Sequence, residues 1–284
     1  MRGRGGRVGR AGPVVAPIAW LLFAAATAAA PAEAKSITIA TTPTIELRDG
    51  TLVARVHVAN DGDDTAQSVT VKLRFRGAEA RGSTHATLGP GASFDEALSL
   101  PAADVAEGRW PYVLAVDYTD LNQYPFQALQ VGLVTSGNPP PAKVVVRDVT
   151  APPLATTGTL TVNLKNLSNA AHAVTTSVVL PDGLEARTPT TSFSLTPWEE
   201  RAVAVPVVNR AVLAGSRVAV FATVEYDDGA VHETALARGA VEVVAAQPWI
   251  GFRPAVLWVA AAVLVAAWLG FLAARGIRPA RRPS

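Results

Sequence analysis

The chain has no cysteine, and its single methionine is the initiator. Without thiols there are no disulfide frameworks, thiolate metal sites or cysteine nucleophiles, although the compartment is left open. Charge is also sparse: 17% of residues are charged against 49% hydrophobic, over 284 residues. That balance is too apolar for a disordered chain and allows one or two domains. Also missing are a Walker loop, a G-x-S-x-G elbow and an H-E-x-x-H helix. The four histidines, His57, His85, His172 and His232, lack metal-ligand spacing and read as solvated or hydrogen-bonded side chains. Glu199-Glu200 and Asp227-Asp228 are neighbours in sequence. On a strand, neighbours face opposite sides, so neither makes an acid–base pair. These absences argue against an enzyme.

The pI near 9.1 misrepresents the folded part. Of 25 basic residues, eight lie in two terminal arginine clusters, which leaves 17 between Lys35 and Pro254 against 22 acids, a net of −5. A nucleic-acid binder needs its positive charge on one folded face. Here the excess flanks apolar segments, and no nucleic-acid partner is expected.

Both ends carry membrane signals. Arg2, Arg4, Arg7 and Arg10 precede an uncharged stretch from Pro13 to Ala30, followed by Ala32-Glu33-Ala34 before Lys35. This is the three-zone pattern of a secretory signal peptide, expected over 1–34. From Ala255 to Ala274 run twenty residues without a charge. At about 1.5 Å per residue they match the ~30 Å hydrocarbon core, so a transmembrane helix is expected over 255–274. Trp249, Ile250 and Phe252 stand in the juxtamembrane segment 246–254 as interfacial anchors, and the tail 275–284 holds four arginines against Arg253 alone on the other flank. The positive-inside rule puts that tail in the cytoplasm and everything before Pro254 outside. Leu154 to Gly158 matches an LAxTG sorting pentapeptide but lies far before the apolar stretch, and reads as a turn between strands.

The middle alternates with period two. Leu52, Ala54, Val56 and Val58 share one face of the stretch 51–60, and Val69, Val71, Leu73 and Phe75 share one face of 68–76. Such stretches are half-buried strands. Short strands between Gly, Pro, Asn and Asp clusters, with no amphipathic helix, indicate β-sandwiches. The pattern also repeats. Val56–Asn60 returns at Val162–Asn166, Leu88-Gly-Pro90 at Leu195-Thr-Pro197, Leu100-Pro101 at Val205-Pro206, and Val116-Asp-Tyr118 at Val224-Glu-Tyr226, with offsets of 105 to 108. A repeat of roughly 100 residues and about seven strands has the size of an Ig-like domain. The fold class expected is all-β: two tandem antiparallel sandwiches, 35–135 and 143–245, plus one C-terminal transmembrane helix. The linker 136–142 contains Pro139, Pro140 and Pro141, a stiff polyproline spacer, so a two-bead rod on a membrane anchor is expected.

A strand ending in Asn60, the turn Leu88-Gly-Pro-Gly91 and the late strand Val116-Asp-Tyr118-Thr-Asp120 resemble the bacterial CARDB-type adhesion-related domain and its Ig-like relatives. The second copy departs from it with Trp198 where the first has Gly91. The resemblance covers about 210 residues and rests on turn chemistry. It implies an extracytoplasmic spacer or interaction module, with a protein or surface polymer as partner.

Oxygen ligands gather in two turns. Asp61, Asp63 and Asp64 follow the second strand, and Asp120 and Asn122 sit in the last hairpin turn. In an Ig-like sandwich these connections lie at one end, so Asp61, Asp63, Asp64 and Asp120 form a candidate Ca²⁺ site. With Leu121, Asn122 and Tyr124 they form an expected binding tip, placed by the rod arrangement at the end farthest from the bilayer. Tight-turn chemistry accounts for the same residues. The function expected is a membrane-anchored envelope protein serving as an adhesion, scaffold or interaction module. The alternative is an accessory subunit of a membrane enzyme or transporter, assembled through Ala260–Ala262, Ala266-Ala267 and Gly270.

Overall fold

The computed structural model describes residues 36–246 and the helix Pro254–Gly276. The expected signal peptide, residues 247–253 of the juxtamembrane segment and the tail beyond 276 lie outside the described residues. The first seven strands are β1 (Ile39–Arg48), β2 (Thr51–Asn60), β3 (Ala66–Phe75), β4 (Ala78–Leu88), β5 (Ser93–Pro101), β6 (Gly108–Thr119) and β7 (Pro125–Ser136). They form a three-stranded sheet, β1-β2-β5, and one half, β4-β3-β6-β7, of an eight-stranded sheet. Leu52, Val56 and Val58 of one sheet meet Val69, Val71, Leu73 and Phe75 of the other in a core at most 2% exposed. Alternation carries this packing except at Ala66, also fully buried although its parity is wrong. A register shift between Gln67 and Thr70, with Ser68 at φ 53°, returns Ala66 to the inner face.

The second set is β8 (Val144–Thr150), β9 (Thr157–Asn166), β10 (His172–Val179), β11 (Leu184–Ala186), β12 (Thr190–Leu195), β13 (Glu200–Asn209), β14 (Arg217–Asp228) and β15 (Val231–Glu242). It supplies a four-stranded sheet, β8-β9-β13-β11, and the other half, β12-β10-β14-β15, of the eight-stranded sheet, closed on a separate core that includes Leu160, Val162, Leu164, Val220, Val224 and Tyr226. Cross-strand pairs make the two sets equivalent. Val71 faces Val116 as Thr176 faces Val224, which puts Tyr118 and Tyr226 in corresponding places. The short β11 has no counterpart in the first set. The pentapeptide at 154–158 is not wholly a turn: Leu154 is buried and bridges Val243 in parallel, and β9 begins at Thr157.

Asn60 and Asn166 organise the two copies identically. Both are fully buried. Asn60 Nδ2 donates to the Asp64 and Leu88 carbonyls, and its Oδ1 accepts from the Gly62 N–H. Asn166 Nδ2 donates to the carbonyls of Ala170, Leu195 and Thr196, and its Oδ1 accepts from the Ser168 N–H. Each side chain ties the end of one strand to the turn that precedes the strand beside it. Burial of Asn166 also removes it as a glycan acceptor in the folded chain.

The helix α1 (Pro254–Gly276) follows. Among the described residues no helix is long and apolar enough to cross a membrane. The crossing expected over 255–274 is therefore not shown.

Replacing Asn60 or Asn166 with Ala removes the donor from one buried carbonyl, Leu88 or Leu195, and from one or two part-buried ones, at about 1–3 kcal/mol for a buried unsatisfied group. Each variant should lose about 2–4 kcal/mol of stability in urea titrations with an unchanged m-value.

Candidate functional site

Three of the four carboxylates expected to bind calcium accept from backbone N–H groups. Asp63 Oδ1 accepts from the Ser36 N–H at 2.6 Å, and Asp64 Oδ1 from the Thr65 N–H at 2.8 Å. Asp120 Oδ1 accepts from the N–H groups of Asn122 and Tyr124 at 2.8 and 2.9 Å, and Asn122 Nδ2 reaches its other oxygen. Asp61 donates its N–H to the Thr38 carbonyl. Among the described residues no three His, Asp or Glu side chains come together in a way that would hold a metal ion. The two turns do share one end of the first sandwich. Ser36, which holds Asp63, and Tyr124 border the same cleft of about 820 Å³.

That end is not remote from the second sandwich, and the two-bead rod is corrected here. The Tyr124 hydroxyl donates to the Ala211 carbonyl, and Gln127 Oε1 accepts from the Asp182 N–H at 3.2 Å. Val212, Leu213 and Arg217 line the cleft opposite Tyr124. At the other end β6 pairs in parallel with β15 through Gly108 and His232, where a Cβ on Gly108 would overlap the His232 carbonyl. The two sandwiches therefore lie side by side with β6 and β15 running the same way. Ala115, Val131 and Phe221 are at most 6% exposed but belong to neither core. They lie on the outward faces of β6, β7 and β14, and a cleft of about 510 Å³ lined by Val113, Val131 and Thr223 lies between those faces.

Arg109 and Glu233 hold this junction. Arg109 Nη1 meets Glu233 Oε2 at 2.6 Å, and Glu233 is 2% exposed. The same guanidinium donates to the carbonyls of Pro140 and Pro139, while the Arg109 carbonyl accepts from the Thr234 hydroxyl. The proline linker is thus pinned across the junction instead of spacing the sandwiches apart. Neither residue stands out in sequence, because 124 positions separate them.

His232 sits beside this pair. Its ring stacks on Trp110 at 3.7 Å, and the Arg76 guanidinium lies 4.8 Å from the Trp110 ring. Nδ1 is 2.9 Å from Asp227 Oδ1, and Nε2 is 3.4 Å from Glu225 Oε2. Burial alone would lower the imidazole pKa, but the Glu225 and Asp227 carboxylates outweigh it and raise it above the usual value. The paired acids flagged by sequence have separate partners: Asp227 takes His232 and Asp228 takes Lys143, while Glu199 takes Arg201 and Glu200 takes Lys165.

No protein-family model matches the chain, and no curated protein matches it either. Solved structures give distant likenesses. Native Escherichia coli alpha-2-macroglobulin is 12% identical over 75% of this chain and 17% of its own length, with a TM-score of 0.30. Salmonella alpha-2-macroglobulin reacted with methylamine gives 13%, 75%, 16% and 0.31. Red sea bream transglutaminase gives 14%, 73%, 31% and 0.27. This chain spans less than a third of each, and the similarity is to their β-rich domains.

Two outcomes are expected at the junction. Arg109→Ala strands a buried carboxylate and should cost about 3–5 kcal/mol, whereas the double replacement Arg109→Met with Glu233→Leu should cost much less; calorimetry on the three proteins separates the cases. Because the folded His232 pKa is raised, its stabilisation is complete below the unfolded value near 6.5 and is lost as pH rises through the folded value. Wild type should lose its advantage over His232→Gln as the pH is raised above about 6.5, and a difference independent of pH would contradict this.

Proposed function

We propose that the chain is a non-enzymatic envelope protein. It is anchored by a single C-terminal membrane pass with the tail inside, and displays two Ig-like sandwiches, similar to CARDB-type domains, as an adhesion, scaffold or protein-interaction module. The observation that carries this reading is the bareness of α1. Every described side chain from 257 to 271 is exposed, including Leu257 at 62%, Trp258 at 76%, Leu264 at 71% and Trp268 at 62%. A helix that is apolar all round and carries such exposed side chains belongs in another apolar medium. The sequence extends that surface without a charge from Ala255 to Ala274 and closes it with Arg275, Arg278, Arg281 and Arg282. Together the uncharged stretch and its arginine flank favour a crossing with the sandwiches outside.

The test is fractionation and proteolysis of the full chain in bacterial spheroplasts. The protein should stay with membranes through alkaline carbonate, and protease added outside should digest the sandwiches while sparing an epitope placed after Ser284. Release of the chain by carbonate would overturn the anchor. Cleavage of the epitope in intact spheroplasts would reverse the orientation.

A further inference from the structure

We infer that the end of the paired sandwiches bearing Leu121 and Leu213 rests on the membrane surface, with the lipid headgroup layer as its partner; this builds on the anchor reading above.

Three connections place this end. Gly215 donates its N–H to the Val243 carbonyl and Val243 donates to the Ser216 carbonyl, so the strand that leaves for α1 exits beside the turn containing Leu213. The Tyr124 hydroxyl donates to the Ala211 carbonyl and the Asp182 N–H to Gln127, so the β6–β7 turn of the first sandwich lies at the same end. Only residues 247–253 then separate Ala246 from the start of α1. Fully extended, they span at most about 25–30 Å, so this end cannot stand far from the interface. The opposite end lies a strand length farther along, about 40 Å for twelve residues.

The chemistry suits the location. Among the described residues outside α1, the large hydrophobic side chains that stand exposed are Leu121 at 62%, Leu213 at 47%, Leu167 at 42% and Trp198 at 60%. Leu121 and Leu213 lie at the exit end, while Leu167 and Trp198 lie where β9 finishes, at the far end. The Asp120 carboxylate is folded back onto the N–H groups of Asn122 and Tyr124, which leaves Leu121 as the apex of its turn. Exposed Arg217 and Arg238 border the cleft beside Leu213. Apolar apices beside arginines are the groups that enter a headgroup layer. The expected tip, Leu121, Asn122 and Tyr124, is thereby reassigned from the distal end to the membrane-proximal one.

The absence of cysteine makes the test direct. Leu121→Cys, Leu213→Cys and Leu167→Cys, each labelled with an environment-sensitive fluorophore, are reconstituted as full chains into phosphatidylcholine–phosphatidylglycerol vesicles containing doxyl-labelled lipid. Fluorescence should be lost at positions 121 and 213 and retained at 167. Labels at 121 and 213 that stay bright on chains floating with the vesicles would overturn this inference while leaving the anchor standing. Chains that fail to float with vesicles would overturn both.

Discussion

The arrangement of the molecule depends on one buried charge. Glu233 is 2% exposed, and its charge is tolerable only because Arg109 meets it at 2.6 Å. An unpaired carboxylate in that position would cost several kcal/mol. The pair spans two otherwise separate cores, so the desolvation that makes it costly also makes it specific: β6 and β15 can lie together only in the register that brings the two groups into contact. Gly108 gives the backbone room for that approach, and the linker carbonyls of Pro139 and Pro140 complete the guanidinium's bonding. A polyproline segment that would hold two free domains apart acts instead as one wall of the charge site.

Because the sandwiches lie alongside each other, their ends exchange partners. The β6–β7 turn of the first copy spans 120–124, longer than the two residues Gly229 and Ala230 that join β14 to β15. Its extra length carries Tyr124 to Ala211. The β14–β15 turn opens instead onto Glu107 and Gly108 of the first copy, where the His232 N–H bonds to the Glu107 carbonyl. The rule that B–C and F–G turns share one end holds within the first sandwich. It says nothing about how two sandwiches pack, and here the β6–β7 turn of the first lies at the end where β15 finishes.

What sequence made legible was local and periodic. Val69, Val71, Leu73 and Phe75 face inward because a pleated strand alternates, and all are at most 2% exposed. Asn60 and Asn166 stood out as repeated strand ends, and their burial shows why a short amide recurs there. The oxygen-rich turns were visible too, but turn capping and cation binding need the same residue types, and composition cannot separate them. Arg109, Glu233, Trp110 and His232 were not legible as a group, since they meet only through long-range pairing. β11 escaped notice because three residues carry no period.

The substitution of Trp198 for Gly91 shows where conformational control resides. Both residues occupy the third position of a turn closed by an i to i+3 hydrogen bond, Ala92 N–H to the Gly89 carbonyl and Glu199 N–H to the Thr196 carbonyl. Both have positive φ, 69° and 61°. Glycine adopts that conformation freely, while a bulky L-residue is strained by about 1–2 kcal/mol. If the third residue dictated the turn, the second copy would have left it. It stays because the flanks are fixed from outside: Asn166 Nδ2 holds the Leu195 and Thr196 carbonyls, the Asn166 N–H donates to the Glu199 carbonyl, and the Trp198 N–H donates to that of Ser168. The buried asparagine therefore sets the turn, and the residue at its apex is free to vary, which is how a 60%-exposed tryptophan persists at a site shaped for glycine.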